Sequence, residues 1–433
     1  MSPQAGTLHH IRRAARFARW VVVLFPAVVS CSSSPGTVAV QIVDSDSNAP
    51  IAGAVVIASG QIMRTDGQGM VSVARQTERL SVRALGHGRL EVERSEVGPD
   101  RLLVQLPKVT PKALYLSLFG VADTRLRENA LKLIGETELN ALVIEVKDDR
   151  GHIAFPSAAP LAAEIGAQKV ITVRDMAGLL ALLHAQGIYT VARISTFKDN
   201  LLARSRPKWA VHTRDGNLWL NRDGMGWSDP FRREVWDYNI GIAVEAARLG
   251  FDEIQFDYLR FPDTPEIVLS KNATVRNRVD ALAGFLEEAR KRLEPYNVFI
   301  AVDIFGYVLW NEDDTGIGQR IEDLAPQVDY VSPMLYPSSF QFGIPGFRIP
   351  VAHPYETVFL SLINAQRRTS LPSPRFRPWL QAFTDYAYDR RRFGARQIAD
   401  QIRAAEQFGS DGWMLWNPQN RYTAEGLKKG KKE

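Results

Sequence analysis

The sequence predicts an α/β protein: a parallel (β/α)8 TIM barrel preceded by a small all-β sandwich. Residues 37–107 alternate apolar and polar positions with period two, the pattern of half-buried strands. From Pro107 the pattern changes to eight short, nearly continuous apolar runs, mostly each followed by an amphipathic helical stretch. That order is what a parallel sheet covered by helices requires. The segment 108–425 also has the usual length of such a barrel, about 250 to over 400 residues.

In the first segment the alternation reads Val38-x-Val40-x-Ile42, Val71-x-Val73, Leu80-x-Val82 and Leu90-x-Val92. Turn residues separate these pieces at 44–48, Asp66-Gly67, Gly86-His-Gly88 and Gly98-Pro-Asp100. About seven short antiparallel strands at this spacing predict a sandwich. In the second segment the strands are predicted at 113–119, 141–146, 189–194, 253–258, 298–305, 330–335, 378–383 and 412–416. The helices between them are predicted at 125–134, 173–186, 233–249, 274–293, 356–367 and 396–408. A doubly wound open sheet explains the first half equally well, but no Gly-x-Gly-x-x-Gly follows the first strand.

The chain has 433 residues, 45% hydrophobic and 23% charged, with formal net charge +5 and one cysteine. A single cysteine excludes an intramolecular disulfide and any multi-cysteine metal site. Residues 1–31 carry Arg12, Arg13, Arg16 and Arg19 and no acid, and the tail 426–433 holds four lysines against Glu433. The body is therefore slightly acidic, with no basic stripe for nucleic acid, and the lysine tail reads as a solvated, frayed end. Seven histidines are scattered without His-x-x-x-His or His-Glu-x-x-His spacing, so no metal or cofactor is expected.

The arginine-rich start leads into an apolar run, 20–30, of eleven residues, too short to span a bilayer but shaped as the core of an export signal. Val28-Val29-Ser30-Cys31 resembles a bacterial lipoprotein lipobox. The resemblance implies removal of residues 1–30, lipidation of Cys31 and membrane attachment through that lipid, with 31–36 as a tether. Ser32 after the cysteine resembles outer-membrane retention if the source is Gram-negative. The competing reading is an ordinary signal peptide with an incidental cysteine.

The chemistry concentrates at Gly250-Phe-Asp-Glu-Ile-Gln-Phe-Asp-Tyr-Leu-Arg-Phe-Pro262. Side chains alternate along a strand, so Glu253, Gln255 and Asp257 share the barrel interior while Ile254, Phe256 and Tyr258 face the helices. Burying three polar groups is costly unless they are paired or functional, and Asp257 comes last, at the catalytic rim. Asp303 interrupts the next buried strand. Strands about 4.8 Å apart bring two such carboxylates to one substrate bond, and paired carboxylates with split pKa values are what glycosidic cleavage needs. A separation of about 5–5.5 Å marks retention and about 6.5–9.5 Å inversion. The competing readings are an Asp257–Arg260 ion pair and a core role for Asp303. Eight tryptophans lie between 209 and 416, several just beyond a predicted strand, where flat apolar rings suit sugar faces or pack loops. Other candidates for substrate binding are Glu145, Lys147, Arg193, Gln255, Arg260, Tyr336, Trp379, Gln381, Trp416 and Asn417. Glu145 and Lys147 either pair with each other or meet sugar hydroxyls, and Arg193 orients a carboxylate.

Several segments together resemble one family. They are Leu142 to Gly151, Tyr189 to Ile194 with Phe197-Lys-Asp199, Trp227-Ser-Asp-Pro230, Gly250 to Pro262, Tyr330 to Pro337, Arg377 to Phe383 and Gly412 to Asn417. The family is the uncharacterised bacterial glycoside-hydrolase-like barrel proteins, and the resemblance spans nearly all of 111–420. It implies the barrel and a carbohydrate substrate. Ala49 to Ala54, Thr65 to Gly69 and Leu80 to Ala84 resemble the carboxypeptidase-regulatory-like, transthyretin-like sandwich, which implies a spacer or accessory module. Chitinase-type glycosidases carry Asp-x-x-Asp-x-Asp-x-Glu on the fourth strand. Here those positions are Asp252, Gln255, Asp257 and Leu259; the acid is leucine, which argues against a substrate-assisted mechanism. The α-amylase-like arrangement, with an aspartate nucleophile ending the fourth strand, fits Asp257 better. Its fifth-strand acid is a glutamate, whereas here it is Asp303; Glu312 and Asp313 in the following loop are the other acids to weigh. The expected function is a glycoside hydrolase acting on cell-envelope or extracellular polysaccharide. A non-catalytic polysaccharide-binding lipoprotein and a polysaccharide lyase using Lys147, Arg193 and Tyr336 are the alternatives.

Overall fold

The computed structural model describes residues 36–93 and 101–430. Cys31, the lipobox and the apolar run lie outside the described residues. The first segment forms β1 (Thr37–Asp44), β2 (Val55–Ala58), β3 (Gln61–Arg64), β4 (Met70–Ala74), β5 (Arg79–Arg83), β6 (Arg89–Glu93) and β7 (Arg101–Leu106). They make two sheets, ordered β4-β1-β7 and β3-β2-β5-β6. Val38, Val40, Ile42, Val56, Leu80, Val82, Leu102 and Val104 fill the space between, and these are the apolar partners of the period-two alternation. One pair departs from the antiparallel expectation: β7 runs parallel to β1.

The second segment begins with β8 (Lys112–Leu116) and α1 (Thr124–Glu136), then β9 (Ala141–Lys147), α2 (Pro160–Glu164), α3 (Met176–His184) and β10 (Tyr189–Ser195). A long excursion carries α4 (Asn200–Ser205) and the two-residue β11 (His212–Thr213) before α5 (Arg233–Leu249) and β12 (Glu253–Asp257). The two-residue β13 (Ile267–Val268) pairs with β11. The chain continues through α6 (Val275–Leu293), β14 (Phe299–Phe305), α7 (Ile321–Leu324), β15 (Tyr330–Met334), α8 (Pro354–Thr369), β16 (Trp379–Gln381), α9 (Ala395–Phe408) and β17 (Trp413–Trp416).

Eight of these strands close a barrel in chain order, β8-β9-β10-β12-β14-β15-β16-β17, all parallel. The closing contact depends on a glycine. A Cβ at Gly412 would sit 1.8 Å from the Pro111 carbonyl oxygen, and its φ is +82°, so a side chain would push β17 off β8. The strands are buried on both faces, and therefore the sequence shows them as unbroken apolar runs. Outside the barrel, Ile254, Phe256 and Val302 pack with Phe285 and Leu282 of α6.

The sandwich sits against the end of the barrel where the strands begin. Arg89 donates from Nε to Asp252 at 2.8 Å, Gly86 N–H donates to the Tyr330 hydroxyl at 3.2 Å, and Asn297 donates to Val82 O at 3.3 Å. Asp252, Asn297 and Tyr330 precede or open β12, β14 and β15, which leaves the carboxyl-terminal mouth uncovered by the sandwich. The tail is tied down as far as Gly430, and Lys431, Lys432 and Glu433 lie outside the described residues. Lys428 N–H bonds Glu138 at 3.0 Å and its ammonium pairs with Glu406, while Gly430 N–H reaches Glu136 O at 3.1 Å. Among the described residues, no helix is long and apolar enough to cross a membrane.

Candidate active site

Along β12 the inward side chains occupy three depths. Glu253, at the strand's start, reaches across the barrel to the Tyr189 hydroxyl at 3.0 Å and to Arg377. Gln255 lies above it and donates to Ser332 Oγ at 3.2 Å. Asp257 ends the strand and pairs with Arg193 of β10. The next residue, Tyr258, has φ +48°, an uncommon conformation for a bulky side chain. It ends the strand and turns a ring that parity would send to the helices into the mouth of the barrel.

Arg193 is the hub. Its Nη1 pairs with Glu145 of β9, its Nη2 with Asp257, and its Nε lies 4.0 Å from Asp303 Oδ2. The guanidinium stacks over Trp416 at 4.9 Å and Tyr115 at 5.5 Å. Three carboxyl groups therefore surround one cation, all largely removed from water. Charge balance under low-dielectric conditions disfavours ionising all three. Asp303 is the one pushed well above the usual carboxylate range, by its burial first and then by the negative charge of Asp257. Its Oδ1 accepts the Trp379 indole N–H at 2.8 Å, and its Oδ2 has no hydrogen-bond partner. Burial also raises Glu145, against the pull of Arg193.

A cavity of about 210 Å³ opens at this mouth. Its wall consists of Arg193, Asp257, Tyr258, Arg260, Phe305, Met334, Tyr336, Trp379 and Trp416. Five of these nine are aromatic, and Trp379 and Trp416 meet edge to face at 5.6 Å. Burial, together with the nearby acids Asp303 and Asp257, raises the Tyr336 hydroxyl far above its ordinary range, so it stays a neutral donor.

Six of the residues singled out from sequence thus meet in one wall: Asp257, Arg193, Arg260, Tyr336, Trp379 and Trp416. The others are placed elsewhere. Asp303 lies beneath the wall at 1% exposure, behind Trp379. Glu145 sits behind Arg193. Lys147 is fully buried against Asp199 at 2.8 Å and Ser195 O at 2.7 Å, and does not pair with Glu145. Gln255 is one layer too deep and has no exposed surface. Gln381 is spent on Ser338, accepting its N–H at 3.0 Å and donating to its hydroxyl at 2.7 Å. Asn417 secures the backbone at Ala382 and Arg421 and lines a separate cavity of about 170 Å³. The competing reading, an Asp257–Arg260 ion pair, does not hold: Asp257 pairs with Arg193. Glu312 and Asp313 are exposed loop residues.

Sequence reading passed over Tyr115, Tyr258, Phe305 and Met334. Parity finds three of them: Phe305 shares the face of Asp303 on β14, Tyr115 that of Ala113 on β8, and Met334 that of Ser332 on β15. Among the described residues, no cluster of histidine, cysteine and acidic side chains is arranged to hold a metal ion.

Residues 113–422 match the family described as "Putative glycosyl hydrolase domain". The chain belongs to that family. No curated protein matches it. Among solved structures, a hypothetical protein from Ruminiclostridium thermocellum is 34% identical, covering 44% of this chain and 96% of that one, with a TM-score of 0.39. The glycoside hydrolase domain of PgaB (BpsB) from Bordetella bronchiseptica is 14% identical over 72% of this chain and 94% of its own, with a TM-score of 0.50. The spore cortex-lytic enzyme SleL of Bacillus megaterium is 14% identical over 78% and 74%, with a TM-score of 0.43. At these identities the PgaB likeness is one of fold. The family membership carries the coarse functional statement: a glycosyl-hydrolase-type barrel with carbohydrate as its substrate class.

Proposed function

We propose that the barrel is a glycoside hydrolase acting on cell-envelope or extracellular polysaccharide, with Asp257 as nucleophile or base at the glycosidic bond. One observation carries this reading: among the described residues, Asp257 is the carboxylate on the wall of an aromatic-lined cavity at the barrel's carboxyl-terminal mouth, where barrel active sites are built. Asp303 supplies the complementary carboxyl, its pKa raised by burial first and then by the charge of Asp257. Arg193 pairs with Asp257 and holds it in place. Trp379 and Trp416 offer ring faces to a sugar, and Tyr336 offers a hydroxyl. The cavity is smaller than the clefts of about 300–1,000 Å³ that enclose a drug-sized ligand, and so suits one sugar ring or one chain end. Lipidation at Cys31 would hold the barrel at the envelope, beside such polymers.

The depth of Asp303 favours a second reading, a polysaccharide-binding lipoprotein without turnover, because a proton donor must come within hydrogen-bond reach of the leaving oxygen. The lyase reading loses Lys147, which is sealed away from the cavity. A panel of bacterial envelope polysaccharides, assayed for new reducing ends and for unsaturated ultraviolet-absorbing products, separates the three. The hydrolase reading expects reducing ends without unsaturation. Binding without either product selects the lipoprotein, and unsaturated ends select the lyase.

A further inference from the structure

We propose that the cavity takes a sugar bearing a carboxylate, and that Arg260 binds that carboxylate. The proposal deepens the reading above and rests on it only in taking this cavity as the sugar site. Arg260 leaves the barrel just beyond Asp257, and its guanidinium forms part of the cavity wall. Aromatic rings hold it on three sides: Trp227 at 4.6 Å, Phe305 at 5.0 Å and Tyr258 at 5.6 Å.

A guanidinium has five N–H donors and cannot shed its charge. Arg260 makes one hydrogen bond among the described residues, from Nη1 to Phe261 O at 3.1 Å, and its buried Nε has no partner. It has no ion-pair partner among them. Two acids act on it electrostatically, and neither forms an ion pair with it: Asp257 is held by Arg193, and Asp263 is an exposed residue of the following loop. Arg193 and Arg377, the other guanidiniums inside the barrel, each hold two carboxylates. Burial accordingly lowers the pKa of Arg260, as expected of a desolvated cation without a counter-ion.

A carboxylate on the ligand would accept two parallel N–H bonds from this fork. A neutral hydroxyl would leave the half-buried charge uncompensated. The aromatic cradle serves the same end, since cation–π contacts tolerate the guanidinium while leaving its N–H edge unspent. The chemical class that fits is a uronic acid or another sugar with a carboxylate substituent, one ring of an acidic polysaccharide.

Monosaccharides carry no glycosidic bond to cleave, so the test is independent of turnover. The wild-type protein is titrated calorimetrically with D-glucuronate, D-galacturonate and N-acetylmuramate, each against its uncharged parent, glucose, galactose or N-acetylglucosamine. At least one acidic sugar should bind about tenfold or more tightly than its parent, as a charge-assisted bidentate contact provides. R260Q should erase that preference, and R260K, which keeps the charge but loses the fork, should reduce it. No preference in any pair, or a preference that R260Q retains at unchanged thermal stability, overturns the proposal. Should R260Q fail to fold, the wild-type pairs and R260K still decide. Acid-selective binding without hydrolysis of any polysaccharide would leave this inference standing and remove the hydrolase; hydrolysis of neutral polymers with no acid preference would do the reverse.

Discussion

The Trp379 indole donates to Asp303 Oδ1 at 2.8 Å, and the other oxygen of that carboxyl has no hydrogen-bond partner. One ring thus forms cavity wall on one side and positions a buried acid on the other. The bond favours the ionised form of Asp303, against burial and against Asp257. W379F keeps a ring and removes the donor, so the Asp303 pKa should rise further. The alkaline limb of the pH–rate profile should move to higher pH, and urea unfolding should show a loss of about 1–3 kcal/mol for the unsatisfied buried acceptor. A limb that stays in place would show that Asp303 is not the titrating group.

The same group sets a pH dependence of stability. The folded pKa of Asp303 is raised above its unfolded value of about 3.9. The native state then binds more protons than the unfolded chain between those two values, so stability declines as pH rises through that window and levels above it. D303N removes the contribution. Its stability relative to wild type should be lowest below pH of about 4 and grow as pH rises, measured by urea unfolding at a series of pH values. A difference independent of pH would contradict the raised pKa.

Arg193 balances Glu145 and Asp257 with a side chain only 4% exposed. R193M leaves both carboxylates without their cation and should cost about 3–5 kcal/mol in chemical denaturation, the usual cost of breaking a buried pair. Adding E145Q and D257N should restore most of it, because the uncompensated charges leave with their partner. A loss under about 1 kcal/mol would place the pair on the level of a surface contact.

The lone cysteine gives a prediction outside the barrel. If residues 28–31 direct lipidation, C31S should move the protein from the membrane fraction to the soluble fraction of the cell envelope. Unchanged fractionation would remove the anchor from the account.

Much of the fold could be read from sequence because a parallel barrel strand is buried on both faces and shows as an unbroken apolar run. Asp257 was legible for the same reason: parity placed Glu253, Gln255 and Asp257 inside, and the barrel does so. Parity gives the face and not the depth, so Gln255 and Asp303 were expected at a surface they do not reach. Lys147 failed differently. The pairing of β9 with β10 shifts register between Arg193 and Ile194, and beyond that irregularity Lys147 turns toward Asp199 and the Tyr238 ring of α5. Tyr258 was hidden by its positive φ, which alternation cannot foresee. Gln381 and Asn417 stand at strand ends, as binding residues do, but local backbone and Ser338 consume their amides. The parallel pairing of β1 with β7 also escaped, since alternation is blind to strand direction.

The most direct test of the central claim is kcat/KM of wild type, D257N and D257E on the polysaccharide that the wild type cleaves fastest. If Asp257 acts at the glycosidic bond, D257N should lose about 10²–10⁴-fold, the scale of a positioned acid–base group, with folding intact and sugar binding retained. D257N cleaving at the wild-type rate, or a wild type that cleaves nothing it binds, would contradict it.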